Sequence, residues 1–262
     1  GRHDDETFMK LREQVKSLYR WGPWQSGTFT MCGVRTTQRM DYSITLDQTD
    51  YVHKGLQTIE LSKPFKDRPC TEKEISQLRG AHGGLQWKVT QTGPQLAADL
   101  NRLQGEVTKA TTNTIKRTNE LIVHAKQREL PITIHCHKHC KWQELAHVMW
   151  TDSAQGDRPD GRSTGGYIGG FGNLRELEAG LWTDISLSTW NTSKLPRVAK
   201  SSLAAEIQEA CIAEDESYLV RFIWAEMNGC TGSADESVNQ VPSILVTDAK
   251  ALFDACKSET SA

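Results

Sequence analysis

The spacing of apolar residues changes near Leu130, and this change limits the possible folds of the chain more than any other feature. Before it, apolar residues recur mainly at helical intervals, and one stretch rich in Thr, Phe, Met and Val (28–38) predicts a β-hairpin that returns through 44–46. After it, four short β-type runs follow, separated by Gly, Asp and Pro: 132–137, 147–154, 167–171 and 181–190. We therefore expect two regions, 1–129 and 130–262.

The second region predicts a mixed sheet. Its four consecutive β-type runs are typical of an antiparallel meander. A long helix then begins at Ser201 or Ser202, an apolar strand follows at 243–247, and a last helix begins near Ala249. Because a helix, a strand and a helix close the pattern, we expect an α/β fold for 130–262, preceded by an α+β region of a hairpin and helices.

Local signals predict the helices of the first region. Thr71 and Glu74 have the spacing of a capping box, so a helix is expected to begin there. Pro94 suits the first turn of the next helix, and a third amphipathic helix ends near Arg128. The first region is therefore expected to consist of the hairpin and these helices.

Three acidic residues stand where elements of the second region begin or end. Asp152 lies at the end of a β-type run, Glu206 near the start of the long helix, and Asp248 directly after an apolar strand. The carboxyl ends of neighbouring parallel strands form one edge of a sheet, so these acids are expected to meet there. Clustered carboxylates repel one another unless a cation is present, and hard oxygen ligands favour Mg²⁺ or Mn²⁺. Together they indicate metal-dependent phosphoryl transfer, while each acid alone is typical of a cap or a solvated strand end.

Composition excludes several classes of protein. The chain has 31 Lys and Arg and 33 Asp and Glu, a net charge of −2, so any site for a polyanion has to be local. No apolar run approaches the roughly 20 residues of a membrane helix, so no membrane partner is expected. Seven scattered cysteines without a signal peptide predict reduced thiols and an intracellular location.

The motifs around the three acids resemble the ribonuclease H region of copia-type retrotransposon polyproteins. WTDSA (150–154) followed by DRPDGRSTGGY (157–167) is similar to the family's "SDADWAGD" and "DRRSTSGY", and LSTW (187–190) is similar to its "ISWSSKKQ". VAKSSLAAE (198–206) resembles "VALSSTEAEY", and VTDAKAL (246–252) resembles the strand that carries the third catalytic carboxylate. Upstream, LRGAHGGLQW (78–87) and TQTGPQLA (90–97) resemble the stretch that joins the reverse transcriptase palm and thumb to this nuclease.

The resemblance implies a function for each region. It identifies 130–262 as a ribonuclease H-like domain and 1–129 as the carboxyl-terminal part of a reverse transcriptase, with a palm remnant and a thumb or connection-like segment. Asp152, Glu206 and Asp248 would be both metal ligands and catalytic residues, with Mg²⁺ or Mn²⁺ as cofactor and an RNA/DNA hybrid as substrate. The implied partner is the upstream reverse transcriptase palm of the parent polyprotein, and the implied location is a cytoplasmic particle or the nucleus.

The chain also departs from the family pattern. The polymerase signature Tyr-x-Asp-Asp is absent, and the pair Asp4 and Asp5 is interpreted as solvated, so this chain is not expected to synthesise DNA. Ala204 replaces a Glu that the family does not use as a ligand. The family's fourth carboxylate is expected beyond Ala262, so the activity of this chain has to be measured directly.

Basic, aromatic and His/Cys residues each have a functional and a structural interpretation. Five bases flank the acids and either contact phosphates or belong to a solvated rim: Arg158, Arg162, Lys194, Arg197 and Lys200. Four tryptophans are interpreted as core residues rather than base-stacking platforms: Trp87, Trp150, Trp190 and Trp224. The segment HCHKHC (135–140) is interpreted as a surface hairpin rather than a zinc site, because its spacing departs from the usual finger patterns.

Three functions are open at this point. The chain is an endoribonuclease that cleaves the RNA strand of RNA/DNA hybrids, or a noncatalytic connection-type domain that holds the template-primer duplex for an adjoining polymerase. The third alternative is a decayed copy of the element without activity. Loss of the three acids distinguishes the first two, because it abolishes cleavage in one case and leaves hybrid binding intact in the other.

Overall fold

The chain folds into a mixed α/β structure with two sheets. The computed structural model describes residues 6–61, 66–138 and 140–259. The elements of the first region are α1 (Glu6–Leu18), β1 (Thr28–Met31), β2 (Val34–Gln38), β3 (Ile44–Asp47), α2 (Thr49–Gly55), α3 (Glu72–Thr92), α4 (Ala97–Glu106) and α5 (Thr112–Gln127). Those of the second are β4 (Ile132–Ile134), β5 (Leu145–Ala154), β6 (Thr164–Asn173), α6 (Leu174–Glu178), β7 (Ser186–Lys194), α7 (Ser202–Met227), α8 (Ala234–Val238), β8 (Ser243–Val246) and α9 (Lys250–Glu259).

The first sheet is antiparallel and contains the predicted hairpin. Strands follow the order β1-β2-β3-β4. Met31 pairs with Val34, so the turn between β1 and β2 has only two residues, Cys32 and Gly33, both with positive φ (51° and 78°). Two-residue hairpin turns favour this conformation because its twist matches that of the flanking strands. The predicted return strand at 44–46 is confirmed as β3.

The first β-type run after Leu130 does not belong to the meander. Strand β4 pairs antiparallel with β3, where Ile44 lies opposite Ile134 and Leu46 opposite Ile132. The prediction that four strands from 132 onward form one meander is therefore wrong for its first strand. Pairing with β4 satisfies the backbone groups along the free edge of β3 and buries Ile132. An apolar run predicts that a segment is a strand, but it does not identify the partner strand.

The second sheet is mixed, as predicted. Its strand order is β7-β6-β5-β8, with β5 antiparallel to β6 and parallel to β8. Helix α7 packs against β5 and β6. Its position is fixed in part by the buried His147 of β5, whose Nδ1 forms a 2.9 Å hydrogen bond with the Ser217 hydroxyl of α7. This arrangement places the start of α7 near the carboxyl end of β5.

Side-chain caps begin the helices where the sequence predicts them. The Thr71 hydroxyl accepts a hydrogen bond from the Glu74 backbone N–H (3.3 Å), and Glu74 Oε2 accepts one from the Thr71 N–H (2.8 Å). Arg68 also donates two hydrogen bonds to Glu74, which lower the pKa of that carboxyl group to about 2. At α7, the Ser201 hydroxyl accepts from the Ala204 N–H (3.1 Å), which settles the choice between Ser201 and Ser202.

We expect Thr71→Ala to lower the free energy of unfolding by about 1 kcal/mol, because it removes one half of the capping box. Urea denaturation followed by circular dichroism measures the change. The matched control is Thr90→Ala in the same helix, where the exposed hydroxyl donates only to the Gln86 and Trp87 carbonyls within the helix. This control is expected to leave stability unchanged or to raise it, since Ala is the better helix former. Equal losses in the two variants would contradict the capping role.

The two regions are joined by polar contacts. Trp190 of β7 donates from Nε1 to the Val89 carbonyl of α3 at 2.8 Å. Arg102 of α4 forms an ion pair with Asp157 at 3.1 Å. Among the helices that the structure describes, none combines the length and the apolar character needed to cross a membrane.

Candidate functional site

The end of the parallel strand pair brings Asp152 and Asp248 together. Trp150 of β5 lies opposite Val246 of β8 in the parallel register. Asp152 lies near the end of β5 and Asp248 lies two residues past the end of β8, so both acids stand at the same end of this strand pair. Adjacent strands are about 4.8 Å apart. Both carboxylates are exposed. That the two acids share one cation stays a prediction.

Glu206 completes the group from the start of α7. Its side chain is buried, at 7% exposed, and burial is the main reason why its pKa is raised. The negative charges of Asp152 and Asp248 raise this pKa further. Ser153 partly offsets this rise in the pKa of Glu206. Among the described residues, neither the Ser153 hydroxyl nor Glu206 Oε2 has a hydrogen-bond partner.

The three acids fit a divalent cation by their chemistry. Glu206 Oε2 is a buried carboxylate oxygen without a hydrogen-bond partner in the described part of the chain, which is the kind of atom that a cation satisfies. All donors are oxygens, as Mg²⁺ and Mn²⁺ prefer. Across residues 6–61, 66–138 and 140–259, no three His, Cys, Asp or Glu side chains already stand close enough to hold a metal ion. Rotation of the exposed Asp152 and Asp248 side chains would therefore have to accompany binding.

Glu209, one helical turn after Glu206, was not identified from the sequence. It is almost fully buried (1% exposed), and its pKa is raised to about 7, first because of burial and second because of the charge on Glu206. The sequence contains one indication of this burial, because Ala205 and Ala213 lie four residues before and after Glu209 on the same helix face. In the structure both alanines are fully buried. That spacing places Glu209 on the buried stripe of α7.

The five predicted phosphate contacts have different surroundings. Arg158 is tied to its own region and to α4, because it donates to Thr164 Oγ1 (3.0 Å) and to the Asn101 side chain. Lys194 is paired with Asp160 (3.0 Å). Arg162 is half-buried, whereas Arg197 and Lys200 are exposed in the segment that leads into α7. Arg197 and Lys200 are thus the best placed of the five to meet a polyanion.

A cavity of about 880 Å³ lies between the second sheet and the first region, and Asp152 is part of its lining. Trp150 and Trp190 line it from the sheet, and Ala98 and Arg102 line it from α4. Both tryptophans are half-buried. By contrast, Trp224 packs in the core with its ring centroid 4.8 Å from that of Phe171. The prediction that Trp87 is a core residue is wrong, because this side chain is 37% exposed.

Residues of the His/Cys segment 135–140 contact Asp184, just before β7, and Asn173, at the end of β6. His135 Nδ1 lies 3.4 Å from an Asp184 carboxylate oxygen, and Cys140 Sγ accepts a hydrogen bond from the Asn173 amide (3.2 Å). His139 lies outside the described residues, as do Asp4 and Asp5. All seven cysteines are free thiols.

Comparison with known proteins adds no relative to this description. No protein-family model matches the chain, and a search of curated proteins finds no match. The site therefore has to be interpreted from its residues and their geometry.

Proposed function

We propose that this chain is part of a retrotransposon reverse transcriptase/ribonuclease H and that its second region hydrolyses the RNA strand of RNA/DNA hybrids with a divalent cation. The observation that carries the proposal is the position of Asp152 near the end of β5 and of Asp248 just past the end of the parallel strand β8, with the buried Glu206 at the start of the helix that packs on β5. The three acids come from distant parts of the chain, and each stands on a motif that resembles the copia-type nuclease.

The sheet topology supports the same proposal. A three-stranded meander, a long helix and a strand parallel to the first meander strand are what a ribonuclease H-like fold requires. In such an open sheet, the carboxyl ends of the parallel strands are the usual place for a site. The first region would then be the end of the reverse transcriptase that precedes the nuclease.

The residues of the site have separate tasks in this mechanism. Asp152, Glu206 and Asp248 would hold the cation, and a bound Mg²⁺ supplies the positive charge that polarises a phosphodiester and activates a water molecule. Burial keeps the Glu206 carboxyl group in one position, while the exposed Asp152 and Asp248 face the solvent from which a phosphodiester approaches. Arg197 and Lys200 lie in the segment before α7 and would attract the backbone phosphates of the hybrid.

We expect this chain to cleave the RNA strand of a labelled hybrid in the presence of Mg²⁺ and Asp152→Asn to lower the rate at least about 100-fold. Loss of a residue that only supports a metal ligand already costs about 10- to 100-fold in activity, and Asp152 would be a ligand itself. Gel analysis of single-turnover cleavage measures the rate. The control is Asp215→Asn, which removes an exposed acid from α7 far along the helix from the site.

Circular dichroism of each variant separates loss of activity from loss of folding. Equal cleavage by Asp152→Asn and the unaltered chain would contradict the proposal. Hybrid binding without cleavage, unchanged in Asp152→Asn, Glu206→Gln and Asp248→Asn, would instead establish the connection-type function. Absence of both binding and cleavage would favour a decayed copy of the element.

A further inference from the structure

Glu209 has a buried carboxyl group whose hydrogen-bonding capacity is not satisfied. Its side chain is 1% exposed, and its Oε2 has no hydrogen-bond partner among the described residues. The same is true of Oε2 of Glu206, which is 7% exposed. A buried acceptor without a hydrogen-bond partner is unfavourable, so each of these oxygens calls for a partner.

The two glutamates lie over directly opposed positions of the sheet. Glu206 lies next to Ser153 of β5, and Glu209 lies over Gly165 of β6. Ser153 and Gly165 are Cα partners in the β5–β6 ladder. Opposed residues of an antiparallel pair are about 4.5–5.5 Å apart, so the two carboxyl groups lie side by side beneath α7.

Gly165 makes room for the Glu209 carboxyl group. A Cβ atom at this position would overlap Glu209 Oε2 and would lie 2.6 Å from Glu209 Cδ. The carboxyl group therefore rests directly against the backbone of β6, with Leu195 also in contact range of that point. Such close packing holds the carboxyl group beside Glu206 and limits its movement into solvent.

The charges that act on this pair are all negative. Glu206 is the charged group that acts on Glu209, and Asp152 and Asp248 act on Glu206. A fold keeps such carboxylates together when a cation offsets their repulsion. Asp152 and Asp248 are exposed, so they are the acids of this group that face solvent.

We propose that Glu209 is a further cation ligand, which together with Glu206 binds a divalent, oxygen-preferring ion and extends the site of Asp152 and Asp248 inward. The inference rests on the proposed function for the class of cation, but it concerns binding and requires no substrate. It adds a fourth carboxylate from within α7 to the three acids already considered.

Mn²⁺ binding to the chain without nucleic acid tests this inference. The signal of free Mn²⁺ in electron paramagnetic resonance measures the affinity of the unaltered chain and of Glu209→Gln, which keeps the size of the side chain. We expect Glu209→Gln to weaken Mn²⁺ binding at least about tenfold, since residues that merely support a ligand already contribute about 10- to 100-fold. The control, Asp215→Asn, is expected to leave the affinity unchanged.

The remaining variants distinguish failure of this inference from failure of the proposed function. Normal affinity in Glu209→Gln together with weakened binding in Asp152→Asn and Glu206→Gln would overturn only the role of Glu209. Normal affinity in all of these variants would overturn the cation site of the proposed function as well. If Glu209→Gln does not fold, anomalous scattering from Mn²⁺-soaked crystals of the unaltered chain replaces it. A peak within coordination distance of Glu209 supports the inference, and a peak bound only by Asp152, Glu206 and Asp248 overturns it.

Discussion

Gly165→Ala is expected to lower the free energy of unfolding by about 3 kcal/mol, at the upper end of the usual range for overpacking a core. The added methyl group would overlap the carboxyl group of Glu209 and lie 2.8 Å from Leu195 Cδ2. Both neighbours are buried, Glu209 at 1% exposed and Leu195 fully, so the packing around them opposes a shift of either side chain. Urea denaturation of the variant and of the unaltered chain measures the difference.

The neighbouring glycine is the matched control for this substitution. At Gly166, the nearest atoms to an added Cβ are Thr192 Oγ1 at 3.3 Å and the Asn191 carbonyl oxygen at 3.4 Å, so Gly166→Ala needs only a small adjustment. Its effect should be clearly smaller. The double variant Gly165→Ala with Glu209→Ala should recover part of the loss, since it removes the overlapping carboxyl group. Equal stability of the two single variants would contradict the close packing of Glu209 on β6.

The sequence alone points to the acids near the ends of β5 and β8. Asp152 and Asp248 each end an apolar run, and strand ends on one edge of a parallel pair converge whatever the rest of the fold is. Glu206 was found because its motif resembles one known site and because it stands at a helix start. Each of these three predictions depends on a short local pattern around its own residue, where sequence and local structure are strongly linked.

The features that were missed depend on long-range pairing. The partner of β4 is β3, more than eighty residues earlier in the chain, and nothing in the run 132–137 indicates this choice. The burial of Glu209 depends on Gly165, which lies on a strand that precedes α7. An acid on an Ala-rich helical stripe could have been noticed, but only the β5–β6 register shows what lies beneath it.

The interpretation of the basic residues shows the same limit. Arg158, Arg162, Lys194, Arg197 and Lys200 look alike in the sequence, as bases that flank a set of acids. In the structure, Arg158 is bound to Asn101 and Thr164, and Lys194 is paired with Asp160. Charge alone predicts a basic rim, whereas the partners of each base decide which of them remain free to meet a phosphate.

We expect the free energy of unfolding of the unaltered chain, minus that of Glu209→Gln, to fall by about 3 kcal/mol as the pH rises from about 4.5 to 8. The measurement is made in EDTA, which removes divalent cations. The pKa of Glu209 is raised from its model-peptide value to about 7, first by burial and second by Glu206. The unfolded chain therefore releases this proton near pH 4.5, while the folded chain keeps it until about pH 7. The stabilisation contributed by Glu209 is complete below about pH 4.5 and is lost as the pH rises through about 7.

His147 acts in the opposite direction, which is why the comparison with Glu209→Gln is needed. Its pKa is lowered to about 4, mainly by burial and also by the charge of Arg221, so it favours folding more as the pH rises from about 4 to 6.5. The two slopes partly cancel in the unaltered chain, but His147 contributes equally to both proteins and drops out of their difference. Urea denaturation at closely spaced pH values gives that difference. A constant difference between pH 4.5 and 8 would show that Glu209 ionises at the same pH in the folded and unfolded chain, and would contradict its burial beneath α7.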